Sequence, residues 1–379
     1  MSLKKVLKKR KFNIKNKTKK FKGGVDNSPN SSPKMKKFYI KEVIDFINIL
    51  KNKSKKINER SGNSSMENES IEDIFNDLNS FDIDDRANTY TGTSMTLRSM
   101  MYLTLIDEYG KEDCMIEDHL VLGFRIQYPY ASNNELNNTE VMGICDGLLQ
   151  CLERSEKKIF IIPFSFGLGN KSHTNILIYR VFDKYHQLDH YEPHGGQVIW
   201  HGSPSKNNEL NDEITKTLTT LTEKISKEAK IQVKYVNATN ICPINQIGIQ
   251  ARHQKKSTQK WHGFCTLWSI LIAELTLVAP NYTTKEIYDC FNESAYNSTE
   301  LDYIVKGYLI TLDERLRKYG NEFEELGYLE SLLSLNYSKK LVERIVKLKK
   351  LWYQKLSIRI QDRDNLIEEK IITKKQRIK

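Results

Sequence analysis

The period of the hydrophobic residues changes several times along this chain, and each change marks an element. From Leu267 to Leu277, apolar side chains (Leu267, Trp268, Ile270, Leu271, Ile272, Ala273, Leu275) stand on nearly every side of a helix. An all-round apolar helix belongs in the middle of a domain. Broken by Ser269 and Glu274, it is shorter than the ~20 residues that span a bilayer. Short apolar runs upstream predict strands over Lys158–Phe166, His173–Phe182, Gln187–Glu192 and Ile231–Val236. The second and third are separated by a polar turn at Asp183-Lys184. Helical spacing predicts helices over Val141–Leu152, Asn208–Lys227, Lys285–Asn292 and Glu300–Tyr319. Asn208–Lys227 carries Leu210, Ile214, Leu218, Leu221 and Ile225 on one face. The fold class is therefore α+β, a short and mostly antiparallel sheet packed against helices.

The flanks read differently. Lys36–Lys51 has the spacing of a short satellite helix, Ile71–Leu78 that of an acidic one, and Ser338–Gln361 that of a long basic arm. Residues 1–35 are Lys-rich and then Asn/Ser/Pro-rich, too polar to form a core. Three regions result: 1–70, a basic and largely disordered arm and linker with a short helix; 71–330, the folded domain; 331–379, a basic helical arm.

Charge sharpens that division. The formal net charge is +11, and residues 1–22 alone carry eleven Lys/Arg and no acid. Residues 338–379 add fourteen Lys/Arg against five acids, which leaves 23–337 mildly acidic. The arms are thus suited to nucleic acid or an anionic surface, and Lys8-Lys9-Arg10-Lys11 suits nuclear import equally well. No segment is expected to cross a membrane, and no secretory signal is read. Six scattered cysteines lack the density of a disulfide framework, which favours a reducing compartment. With no Cys-x-x-Cys pair, no metal is expected.

Candidate chemistry centres on Cys265, at the first turn of the apolar helix. There the helix macrodipole favours a thiolate and hence a nucleophile. The other cysteines read as buried small hydrophobes. Upstream, His173 opens one strand and Glu192 closes another. If the hairpin turns at Asp183-Lys184, antiparallel partners have numbers summing to about 367. His173 then meets the Pro193-His194 end with Glu192 beside it. Asp189 pairs near Ile178 instead, roughly 16 Å away at ~3.3 Å per residue, beyond hydrogen-bond reach. A cysteine nucleophile, histidine base and carboxylate orienter form a generalised triad. Gln259 and Gln250 are both candidates for the oxyanion donor such a triad needs.

Four phrases in this order carry a resemblance. They are His173-Thr174-Asn175, Tyr191-Glu192-Pro193-His194-Gly195, Cys242-Pro243 with Gly248-Ile249-Gln250, and Gly263-Phe264-Cys265-Thr266-Leu267-Trp268-Ser269. Over roughly residues 115–295 the chain resembles the ubiquitin-like-protein protease superfamily of SUMO proteases and the adenovirus proteinase, in particular its large-DNA-virus branch. The resemblance implies a papain-like, adenain-like thiol peptidase fold with His173, Glu192 and Cys265 catalytic; no cofactor is expected. It implies a cysteine protease that cleaves viral precursors or ubiquitin-like conjugates after small, Gly-Gly-type residues, in the virion or the host cytoplasm, with the nucleus as a further location. The chain departs from cellular members in having His-Thr for His-Trp, Glu for Asp as orienter, and Phe-Cys-Thr for Asp-Cys-Gly. Spacing in cellular members points to Gln259 and the viral phrase to Gln250. Bacterial effectors of similar fold use His-Glu-Cys for acetyl transfer, so an acetyltransferase is an alternative, as is an idle scaffold associated with nucleic acid. Gly23-Gly24, where the basic arm ends, offers an internal cleavage site.

Overall fold

Five strands account for the apolar runs between residues 124 and 236 in the computed structural model. It describes residues 39–58, 104–105, 108–109, 124–128, 145–152, 158–168, 171–196, 204–243, 246–254, 264–294 and 296–316. The strands are β1 (Phe124–Tyr128), β2 (Ile159–Leu168), β3 (Lys171–Val181), β4 (His186–Tyr191) and β5 (Val233–Val236), side by side in chain order. β2, β3 and β4 form antiparallel hairpins, but β1 runs parallel to β2 and β5 parallel to β4. The sheet is thus mixed, where a mostly antiparallel one is expected from sequence. The connections explain it. Parallel neighbours need a crossover of a dozen or more residues. Helix α2 (residues 145–152) lies between β1 and β2, and α3 (Pro204–Ala229) between β4 and β5.

The β3–β4 register matches the expected one: Ile176 pairs with Tyr191, Ile178 with Asp189 and Val181 with His186. The turn closes through a hydrogen bond from the Phe182 N–H to the Tyr185 carbonyl, 3.0 Å. Side chains alternate across the sheet. On one face Phe160, Ile162, Phe164, Leu177, Tyr179 and Leu188 form a core with α3 (Leu210, Ile214, Leu218, Leu221, Ile225) and with Cys145, Leu148 and Cys151 of α2. Ile176 and Ile178, also buried, alternate with these on the opposite face. Cys145, Cys242, Cys265 and Cys290 are free thiols, but Cys151 is disulfide-bonded rather than a plain buried small residue. Sparse cysteine spacing argues against a framework of bridges, not against a single one.

Helix α6 (Phe264–Val278) lies across β3, and every residue from Cys265 to Thr276 is buried. It follows two short helices, α4 (Ala238–Ile241) and α5 (Ile249–Gln254), and precedes α7 (Thr284–Glu293) and α8 (Ser298–Leu316). α7 starts at a capping box in which Thr283 and Glu286 satisfy each other's backbone amides. Glu274, fully buried in α6, takes both guanidinium arms of Arg315 from α8 and a 2.8 Å hydrogen bond from the Tyr109 hydroxyl.

Helix α1 (Lys41–Asn58) is longer than expected and is no satellite. Ile40, Val43, Phe46, Ile47 and Leu50 are buried, and the helix crosses α8 at close quarters. A Cβ on Gly307 would sit 1.9 Å from the Leu50 carbonyl oxygen, so only glycine admits this crossing. Lys51 reaches Glu300, and Lys53 reaches Thr311 and Glu314. The basic arms, the acidic helix at 71–78, Gly23-Gly24 and Gln259 lie outside the described residues. Among the described residues no helix is long and apolar enough to cross a membrane.

Candidate active site

The buried helix α6 positions Cys265, and Thr174 of β3 pins its first turn. The Thr266 hydroxyl donates to Thr174 Oγ1 (3.1 Å), the Ser269 hydroxyl donates to the Thr174 carbonyl (3.2 Å), and the Thr174 N–H donates to the Cys265 sulfur. One β3 residue therefore fixes the helix start, and the residue before it, His173, reaches the thiol. His173 is hydrogen-bonded to Cys265 on one side. On the other, its Nε2 lies 2.6 Å from Glu192 Oε1. All three side chains are buried.

Glu192 is held by the turn that follows it. The His194 N–H donates to Glu192 Oε1 at 2.9 Å, and the Gly195 N–H to the Glu192 carbonyl at 3.2 Å. A second loop braces this one: the Gly248 N–H donates to the His194 carbonyl (3.0 Å) and the Gln250 N–H to the Pro193 carbonyl (3.1 Å). The backbones come so close that a Cβ on Gly248 would sit 2.2 Å from the His194 carbonyl carbon. The Glu-Pro-His-Gly and Gly-x-Gln phrases, more than fifty residues apart, are two rails of one ladder. The structure thus brings Gln250 to the Glu192 loop; its side chain is buried, and its Oε1 accepts no hydrogen bond from the described residues.

Asp189 is elsewhere and occupied. It accepts from the Thr284 hydroxyl and from Gln187 Nε2, each at 2.6 Å, and from Arg180 Nε at 3.4 Å. Glu192 is the carboxylate at the histidine.

The charges favour an ion pair. Burial pushes the Cys265 thiol up, but the charged His173 ring, its hydrogen bond and the Thr174 N–H together outweigh burial and the opposing Glu192, so the thiol ends below its ordinary 9.0. Burial pulls His173 down, while Glu192 and Cys265 raise it further, to about 10. Burial raises Glu192, and His173 and His194 more than reverse that, leaving it below its ordinary 4.5. A thiolate, an imidazolium and a carboxylate in line are mutually consistent. Neighbouring His190, buried, is depressed to about 4 by burial and is therefore neutral.

A metal fits less well. His173, Glu192 and His194 bring ligand atoms within 4.8 Å of one another. The two imidazoles, however, are stacked, with centroids 4.7 Å apart and planes 12° apart. Ring lone pairs lie in the ring plane, so two nearly parallel rings cannot both point at one ion. Cys242, another conceivable ligand, instead shares a 2.7 Å hydrogen bond with the Tyr288 hydroxyl.

Sequence reasoning missed Thr174, although it stands inside the His-Thr-Asn phrase between the base and Asn175. The signal was strand alternation, which turns Thr174 away from its neighbours on the other face. In comparisons with known proteins, no family model, curated protein or solved structure matches the chain.

Proposed function

We propose that this chain is a cysteine peptidase of the papain-like, ubiquitin-like-protein protease type, with Cys265 as nucleophile, His173 as base and acid, and Glu192 as orienter. One observation carries this reading: a single buried imidazole is hydrogen-bonded both to a thiol at a helix start and to a carboxylate. In this scheme the Cys265 thiolate attacks the scissile carbonyl. The oxyanion that forms is met by free amides of the first turn of α6 and by a glutamine side chain. His173 then protonates the leaving amine, and the acyl-enzyme is hydrolysed after His173 takes a proton from water. Glu192 fixes the ring and stabilises its positive charge.

The four phrases further support substrates cleaved after small, Gly-Gly-type residues, whether viral precursors or ubiquitin-like conjugates, acted on in the virion or host cell. The basic arms would add affinity for nucleic acid or an anionic surface. The test is a peptide-aldehyde probe together with peptide-library profiling of wild type and Cys265→Ala. Wild type should be labelled at Cys265 and should cleave, and Cys265→Ala should do neither. Cleavage by Cys265→Ala at the wild-type rate would overturn the assignment. Stable acetylation of Cys265 by acetyl-CoA with no peptide cleavage would point to acyl transfer instead. Gln250→Ala and Gln259→Ala then identify the oxyanion donor, whose loss should cost on the order of 100-fold in turnover.

A further inference from the structure

His194 takes no part in the scheme above, yet its ring lies against the base. Its backbone is fixed on both sides, by the N–H to Glu192 Oε1 and by its carbonyl to the Gly248 N–H. Any residue other than proline supplies those two bonds. What is particular to His194 is its ring, stacked on His173 with centroids 4.7 Å apart and planes 12° apart. Its side chain is 22% exposed, whereas that of His173 is 3% exposed, so His194 covers the base on the solvent side.

We propose that His194 is a positioning residue of the triad: its ring holds the His173 imidazole in plane between Cys265 and Glu192 and favours the charged form of that ring. The proposal rests on the triad reading above. The torsion that turns an imidazole about its last bond is soft and broad. A flat neighbour removes that freedom without spending a hydrogen bond. A cation over an aromatic face is also attracted to it. Among the described residues, the titratable groups around His173 are Cys265 from α6, Glu192 and His190 from the end of β4, and His194 itself. Of these described groups, His194 is the one that meets the ring face to face. An aromatic face at position 194 therefore supports the thiolate–imidazolium pair, and a small side chain does not.

The experiment is the pH dependence of Cys265 alkylation by iodoacetamide, followed by peptide mass spectrometry, with the buried free thiols Cys242 and Cys290 as references in the same chain. In wild type, Cys265 should outpace both near pH 6, where ordinary thiols are protonated. His194→Ala should lower that rate about three- to tenfold, the range expected for losing one aromatic contact. His194→Phe should keep it within about twofold, since it retains the flat face. His194→Asn, a residue turns tolerate well, should behave as His194→Ala and replaces it if the alanine variant fails to fold. Profiles of His194→Ala and His194→Asn that superimpose on wild type would overturn the proposal, as would a His194→Phe profile that falls with them. The expected shifts without any peptide cleavage would leave the positioning role standing and sink the peptidase reading. A wild-type Cys265 no faster than Cys242 would overturn both.

Discussion

Removing the charge of Glu192, while keeping its shape, is the sharpest test of how the site works. In Glu192→Gln the amide can still accept a hydrogen bond from His173 Nε2, now 2.6 Å from the carboxylate. His173 is raised to about 10 because the charges of Glu192 and Cys265 outweigh burial, which by itself pulls the ring down. Without Glu192, the charge of Cys265 is left to oppose burial. Return to the ordinary 6.5 would cover more than three decades in proton affinity, at about 1.36 kcal/mol per decade. Part of that is retained through Cys265, so the equilibrium constant that favours the imidazolium should fall on the order of 10²–10³-fold, which sets the upper bound on the loss of transition-state stabilisation. A loss of that size in kcat/KM lies below the ~10⁴ seen when a triad carboxylate becomes an amide. Asp189→Asn is the control. It strands Arg180, a buried guanidinium, and should cost stability of about 3–5 kcal/mol while leaving turnover of the folded enzyme unchanged. The assays are kcat/KM on a profiled peptide, Cys265 alkylation near pH 7, and urea unfolding of each variant. Equal losses of turnover in the two variants, or a larger one at position 189, would refute the assignment of the orienter.

Two further predictions concern pH and packing. Folding raises His173 above 6.5, so its contribution to stability is complete below about 6.5 and lost as pH rises through about 10; Cys265 and Glu192 are lowered, so theirs are present above 9.0 and 4.5 and lost as pH falls through their lowered values. The kcat/KM profile should accordingly be a bell, with an acid limb below 9.0 and a basic limb near about 10; a single rise through 9.0, as for an isolated thiol, would exclude the ion pair. Gly307→Ala would gain about 1 kcal/mol of helix propensity, yet the 1.9 Å approach to Leu50 forces α1 and α8 apart, so urea unfolding should show a net loss of about 1–3 kcal/mol, and an equally stable variant would contradict the crossing.

What could be read from the sequence was local. The His173–Glu192 relation followed from one turn at Asp183-Lys184, because a hairpin carries its register outward from the turn with no further information. The α6 helix was equally legible, since an all-round apolar pattern has few other homes. The direction of the edge strands was not: the strand read over Ile231–Val236 is present at Val233–Val236, but it and Phe124–Tyr128 pair in parallel across long crossovers, and no short-range pattern encodes that choice. The ladder between Pro193-His194 and Gly248-Gln250 was invisible as geometry, although both phrases were noticed, because backbone pairing leaves little side-chain signature. Helix α1 was read as peripheral because its periodicity shows that a face is buried without showing what covers it. Gly307, the residue that admits it, looks in sequence like a mere weak point of a helix.

The crossing of α1 over α8 also bears on how the chain is made. Lys53 and its partner Thr311 are separated by 258 positions, so the apolar face of α1 leaves the ribosome long before its cover exists. At the usual ~5–20 residues per second, that interval is about 13–50 s. Throughout it, Val43, Phe46, Ile47 and Leu50 present an uncovered stripe while the sheet assembles behind them. A nascent chain with that exposure is a natural client for a holding chaperone, and α1 is among the last elements to dock.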